Sequence, residues 1–309
     1  MRSFARLTHV FGSALLIASF LVGANAFAAG SPQTTTAGSL KIERHGNHGS
    51  PIVLIPGLGG GPWVWQSTID NLEKDHVVYA LTLGGFDGTP VPKQGGNLFD
   101  LADQSLGDWL RSAHIGKPIL VGHSLGATLA LRFAGEHPEL IAGVVAVDGL
   151  PLFPGMDRIS DEQRKTMASK MQEHMTAFTP EQFKAEQLTY MRQTGMIDQE
   201  QAEHYAFLNA RSDIKATAQY MAEDLASDLR PGLKNATVPI LEISPYKESD
   251  FSTGPVRMSE QQKADYYKSL LANAPNAKVV SISPARHFVM LDQPVKFQQV
   301  LGDFIASVH

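Results

Sequence analysis

The chain has 309 residues, 43% hydrophobic and 18% charged, with a formal net charge of −5; that length permits one large domain or two small ones around a sizeable core. The balance is mildly acidic with no basic cluster, which excludes the concentrated positive face that nucleic acid requires. There is no cysteine, so thiol nucleophiles, thiolate metal ligands and disulfides are excluded and the core alone must hold the fold.

The N-terminal stretch carries Arg2 and Arg6, an apolar run from about Val10 to Val22, and the small-x-small triplet Ala26-Phe27-Ala28. That order of charge, apolar run and cleavage site is expected of a secretory signal peptide over residues 1–28. The run is short for a membrane span. A periplasmic or secreted protein with no stable membrane anchor after cleavage is therefore expected. Residues 29–38 are polar, show no packing pattern, and read as a flexible lead.

Strand and helix signals then alternate. LKIERHG is a strand signal, and PIVLI is a short continuous apolar run suited to a strand buried on both faces. WVWQSTIDNLEK has helical spacing and HVVYALTL is a second buried-strand run. LFDLADQSLGDWLRSAH is helical, KPILVGH a strand, SLGATLALRFAGEHP a helix stopped by proline, and IAGVVAVDG a strand. Such alternation through short loops predicts parallel strands joined by crossover helices, a doubly wound α/β sheet. From about Leu152 to Arg230 there is no β-rich run, only four helical segments with starts at Ser160, Thr179, Asp198 and Asp213. VPILEIS, a helix over SEQQKADYYKSLLANA, the strand AKVVSIS and a last helix from about Val295 to Val308 resume the alternation. The helical block therefore reads as an insertion between two halves of one sheet.

Where KPILV gives way to ATLALRFA, the chain reads Gly122-His123-Ser124-Leu125-Gly126. A nucleophilic hydroxyl must stand clear of its own backbone, and a sharp strand-to-helix turn achieves this when the residues two places either side are small. The same turn aims a helix N-terminus at the reacting centre. Ser124 is the expected nucleophile. His123, inside the turn, is expected to pack beneath it. His287 is the expected base, because it follows the last predicted strand, at the sheet end where α/β folds gather ligands. An oxyanion needs preorganised N–H donors. Leu125, directly after the nucleophile, and Leu58, in the glycine-rich loop LIPGLGGGPWVW, are the expected two. That loop has neither dinucleotide-binding nor P-loop spacing, and no cofactor or metal is called for.

These residues resemble the α/β-hydrolase superfamily, in its capped, serine esterase- and lipase-like form. The matching stretches are VLIPGLGG, GHSLG and ARHFVMLDQPVKF. The resemblance implies the α/β-hydrolase fold, with a helical cap inserted after the sixth strand. After the signal peptide and lead, it implies a core in two parts, residues 39–151 and 233–309, with the cap over 152–232. For the acid, the usual Gly-x-x-Asp turn is replaced by PYKESDFSTG, where Glu248 holds the customary place and Asp250 is close. Some relatives take the acid from the end of the strand before the cap, which here offers Asp148. The order of preference is Asp148, then Glu248, then Asp250.

Seven of the ten methionines lie between residues 156 and 221, and Met167, Met171 and Met175 share one helix face near Phe178. They serve either to pack the cap on the core or as an adaptable apolar pocket wall. Trp63 and Trp65 are expected to line the same cavity. No Arg or Lys is placed to meet a substrate carboxylate. The expected activity is hydrolysis of carboxylic esters of small to medium apolar substrates through an acyl-enzyme. Alternatives are a lactonase or amidase with the same triad, a cofactor-free perhydrolase or lyase, and a non-turnover ligand receptor on the same fold. The expected partner is a small ester-like molecule, and the oligomeric state is left open.

Overall fold

Eight strands form one sheet in the order β1-β2-β4-β3-β5-β6-β7-β8 in the computed structural model, which describes residues 32–252 and 256–308. The strands are β1 (Gln33–Ala37), β2 (Leu40–His45), β3 (Pro51–Ile55), β4 (Val77–Leu83), β5 (Ile119–His123), β6 (Gly143–Val147), β7 (Ile240–Pro245) and β8 (Ala277–Ile282). From β4 to β8 all neighbours are parallel, and β1 and β2 add an antiparallel edge. β5 and β6 are buried at every residue, as apolar runs without alternation require of central parallel strands.

Alternate residues of the central parallel strands feed two cores. On one face Val53 and Ile55 pack with Leu106, Leu129 and Phe133, from α2 (Leu98–Ala113) and α3 (Leu125–Glu136). On the other, Ile52 and Leu54 pack with Ile69, Phe297 and Leu301, from α1 (Gln66–Leu72) and α11 (Pro294–Val308). Between β6 and β7 the chain forms α4 (Asp161–Thr176), α5 (Pro180–Tyr190), α6 (Gln199–Asn209) and α7 (Ile214–Ala226). Their N-caps are Ser160, Thr179, Asp198 and Asp213, each side chain satisfying a backbone N–H that the first helical turn leaves open. The chain then adds α8 (Glu248–Ser252), α9 (Glu260–Leu270) and α10 (Val289–Asp292) around β8.

The expected lead is corrected in part. Gln33–Ala37 is a strand, paired residue by residue with β2 through Ala37↔Leu40. Four of its five residues are exposed, so backbone pairing holds it, and it has no apolar pattern that could have announced it. The expected signal peptide, residues 1–28, lies outside the described residues. Among the described residues, no helix is long and apolar enough to cross a membrane.

Candidate active site

Strand order reverses between β3 and β5, since β4 lies to one side of β3 and β5 to the other. A crevice opens at the carboxyl ends of strands beside such a switch, and here those ends carry the Pro56–Gly61 loop and Ser124. Ser124 has φ 51° and ψ −123°, a backbone conformation that an L-residue holds only under strain. The sheet and helix enforce it: Ser124 N–H donates to the Val147 carbonyl at 2.9 Å, and Ala127 and Thr128 N–H donate to the Ser124 carbonyl at 2.8 and 3.0 Å. The flanking glycines are obligatory. A Cβ on Gly122 would stand 2.2 Å from the Gly126 carbonyl oxygen, and one on Gly126 2.4 Å from that of Ile55.

Asp148, at the end of β6, also has positive φ, 47°, and its N–H donates to the Ile243 carbonyl at 3.0 Å. Its carboxylate meets His287, with Oδ2 and Nδ1 2.5 Å apart, while Tyr267 on α9 donates its hydroxyl to Oδ1 at 2.5 Å. Lys263, one helical turn earlier, lies 3.9 Å from the same oxygen. Burial by itself would push this carboxyl up, but Lys263, His287 and the two hydrogen bonds outweigh it and hold it below the ordinary carboxylate range. A buried carboxylate is tolerable only with such partners.

His287 is fixed through its backbone. Its N–H donates to the Thr194 carbonyl at 3.2 Å and that of Phe288 to Gly195 at 3.0 Å, so the histidine loop is tied to the π-helical turn Met191–Gly195 that follows α5. His123 packs beneath the elbow as expected, 1% exposed. Its Nε2–H donates to the His287 carbonyl at 3.1 Å, and its ring centroid lies 4.5 Å from that of His287. Burial and the neighbouring His287 push its pKa well down, so it stays neutral and acts as a strut.

Ser124, Leu125, Leu58, His287 and Asp148 all line one cavity of about 590 Å³. The other two acid candidates do not. Glu248 is exposed on α8, and Asp250 pairs with Arg286, Nε to Oδ2 at 2.7 Å, and with Lys247 at 2.9 Å. Hydrogen bonds from Arg286 lower the Asp250 carboxyl to about 2. The physical reason is that β7 runs into a short helix here, which turns Asp250 toward the residue before His287. The tryptophans are a further correction. Trp65 is fully buried against Phe297 and His123, Trp63 stacks on Tyr205 at 5.4 Å, and neither lines the cavity.

Met171, Met175 and Phe178 do line it, together with Phe153, Leu150 and Phe288; Met167 is 44% exposed and faces away. The methionine stripe therefore divides between a cavity wall and the surface. Tyr267, Gln187, Asn209 and Asp224 also reach the cavity and went unnoticed in the sequence. They come from four different helices, and no local spacing marks them.

The Pro56–Gly61 loop is held from the helical insertion. The Ser212 hydroxyl donates to the Gly59 carbonyl at 2.7 Å and accepts from the Asp87 N–H at 2.9 Å. The cavity, strained serine and carboxylate-bonded histidine together make a site suited to nucleophilic attack on a carbonyl under N–H donors.

Comparison with known proteins agrees with this architecture. The match to 1-acylglycerol-3-phosphate O-acyltransferase ABHD5 of Rattus norvegicus is 30% identical over 118 residues, 37% of this chain and 33% of that protein. It thus spans about a third of that relative's length. "Putative carbamate hydrolase RutD" of Serratia proteamaculans is 25% identical over 253 residues, 81% of this chain and 88% of that protein. A solved structure from a study of the carboxylesterases of Nitrososphaera gargenis has a TM-score of 0.68 at 18% identity, covering 90% of this chain and 98% of that one; this likeness is one of fold. The sequence model of the alpha/beta hydrolase family matches residues 52–299, a span that holds the elbow, both acid-bearing strand ends and His287, and the chain belongs to that family.

Proposed function

We propose that the protein is a serine hydrolase of carboxylic esters of small to medium apolar substrates, working through an acyl-enzyme. The observation that carries this reading is a strained Ser124 in one cavity with a histidine whose Nδ1 is bonded to a buried carboxylate. In this reading Ser124 Oγ attacks the carbonyl as His287 Nε2 takes its proton, and Asp148 fixes the tautomer and stabilises the imidazolium. The Leu58 and Leu125 N–H groups hold the oxyanion, each contributing about 3–4 kcal/mol. His287 then returns the proton to the leaving alcohol, and water releases the acid. The apolar lining and the volume of the cavity support a medium-sized substrate.

Export to the periplasm or medium is part of the proposal and rests on the charged start, apolar run and Ala-x-Ala triplet of residues 1–28. Amide or carbamate cleavage by the same triad is a second reading, supported by the likeness to RutD. The test is hydrolysis of p-nitrophenyl esters from C2 to C16 by the mature protein and by Ser124→Ala, with EDTA present. Turnover lost in the variant is expected. Equal activity in both proteins overturns the role of Ser124, and inertness of both toward esters moves amides and carbamates ahead.

A further inference from the structure

The ester reading leaves one cavity group unused. Asp224, near the end of α7, lines the same cavity as Ser124 and Thr128. Thr128 sits one helical turn beyond Ser124, and its hydroxyl donates to the Leu150 carbonyl at 3.2 Å. The carboxyl and the nucleophile therefore open on one cavity. No Lys or Arg is among the residues lining the cavity. The ionisable groups there besides the histidines and tyrosines are Asp148, which His287 and Tyr267 occupy, Glu186, which is exposed, and Asp224. A carboxyl set among Met, Phe and Leu side chains without a cation is destabilising for the fold, and groups held at such a cost concentrate where a ligand repays it. Burial pushes Asp224 up to about 7 against the pull of Thr128, with no cation to offset it.

The geometry points to Asp224 as a specificity-determining residue that accepts a hydrogen bond from the substrate, so that the preferred ligands are apolar esters carrying one donor, an ammonium or a hydroxyl. An ester bearing a carboxylate is disfavoured by the same group. This rests on the ester reading for its substrate class, and a binding measurement separates the two.

The experiment is calorimetric titration of Ser124→Ala with matched esters in which the donor is replaced by carbon. The ammonium pairs are 2-(dimethylamino)ethyl butyrate against 3-methylbutyl butyrate, and ethyl 4-(dimethylamino)butyrate against ethyl 5-methylhexanoate. The hydroxyl pairs are 2-hydroxyethyl butyrate against propyl butyrate, and ethyl 6-hydroxyhexanoate against ethyl heptanoate. The donor-bearing member of at least one pair is expected to bind about tenfold tighter or more. Adding Asp224→Leu is expected to erase that ratio. Asp224→Asn keeps an acceptor without charge, so it preserves a hydroxyl preference and abolishes an ammonium preference. Ratios near one in all four pairs, or a ratio that survives both Asp224 variants, overturn the inference. Loss of ester turnover by the wild type would overturn the hydrolysis reading alone, because the affinity ratios need no turnover.

Discussion

Replacing Asp148 by Asn tests the centre of the site. The Tyr267 hydroxyl is a donor 2.5 Å from one oxygen, so an amide at this position is held with its carbonyl toward Tyr267 and its NH2 toward His287. His287 Nδ1 then faces a donor and must accept, and the ring proton moves to Nε2, where it blocks removal of the Ser124 proton. The folded geometry survives while the tautomer is wrong. The expected loss is about 10⁴-fold in kcat, or about 5.5 kcal/mol of transition-state stabilisation, with KM little changed. Asp250→Asn breaks a part-exposed pair, with side chains 16% and 29% exposed. Pairs of that kind contribute about 1 kcal/mol or less, so kcat is expected to fall less than about tenfold, and Glu248→Gln is expected to be silent. The assay is steady-state hydrolysis of a p-nitrophenyl ester near pH 7.5, with thermal melts to confirm folding. Asp148→Asn within tenfold of wild type, or Asp250→Asn as the more damaging change, refutes the placement of the acid.

Tyr267→Phe removes one hydrogen bond to a charged group, so kcat is expected to fall about 10- to 100-fold with KM little changed, and a kcat equal to wild type refutes the role. Gly122→Ala puts a methyl 2.2 Å from a backbone oxygen, and a loss of at least about 3 kcal/mol, read by chemical denaturation, is expected along with activity. Met175→Ala enlarges the cavity wall and is expected to shift the acyl-length optimum toward longer chains, at about 2–3 kcal/mol of stability; an unchanged profile places Met175 outside the acyl pocket. Asp103, 4% exposed, is raised to about 7 by burial and by Glu136 against the pull of Arg132. A raised carboxyl favours the neutral form, so wild-type stability falls as pH rises from about 4 through 7. Asp103→Asn is therefore expected to raise unfolding free energy at pH 8 and not at pH 4, by about 1–2 kcal/mol out of an upper limit of about 4 kcal/mol, and a gain equal at both pH values in chemical denaturation refutes it.

Where the signal is local, the sequence alone was sufficient. The nucleophile turn is a five-residue steric problem with one chemical solution, so Gly122-His123-Ser124-Leu125-Gly126 was legible without coordinates. The central strands were legible because burial on both faces forces continuous apolar runs, and the helix starts because Ser160, Thr179, Asp198 and Asp213 each satisfy N–H groups a few residues away. His287 was legible through its place after the last strand. The acid was only ranked: Asp148, Glu248 and Asp250 all follow plausible strand ends, and the choice depends on which carboxyl lies beside Nδ1 once three strands are assembled.

Only tertiary structure could decide that choice, since 139 residues separate Asp148 from His287. It also decided that Trp65 belongs to the core and that Gln33–Ala37 pairs at the sheet edge with no apolar pattern to announce it. The tie of the histidine loop to the turn after α5, and of Gly59 to Ser212, follows from the same cause. Periodicity reports which face of an element is buried; it carries no information about which distant element buries it, and the cavity is made of those long-range meetings.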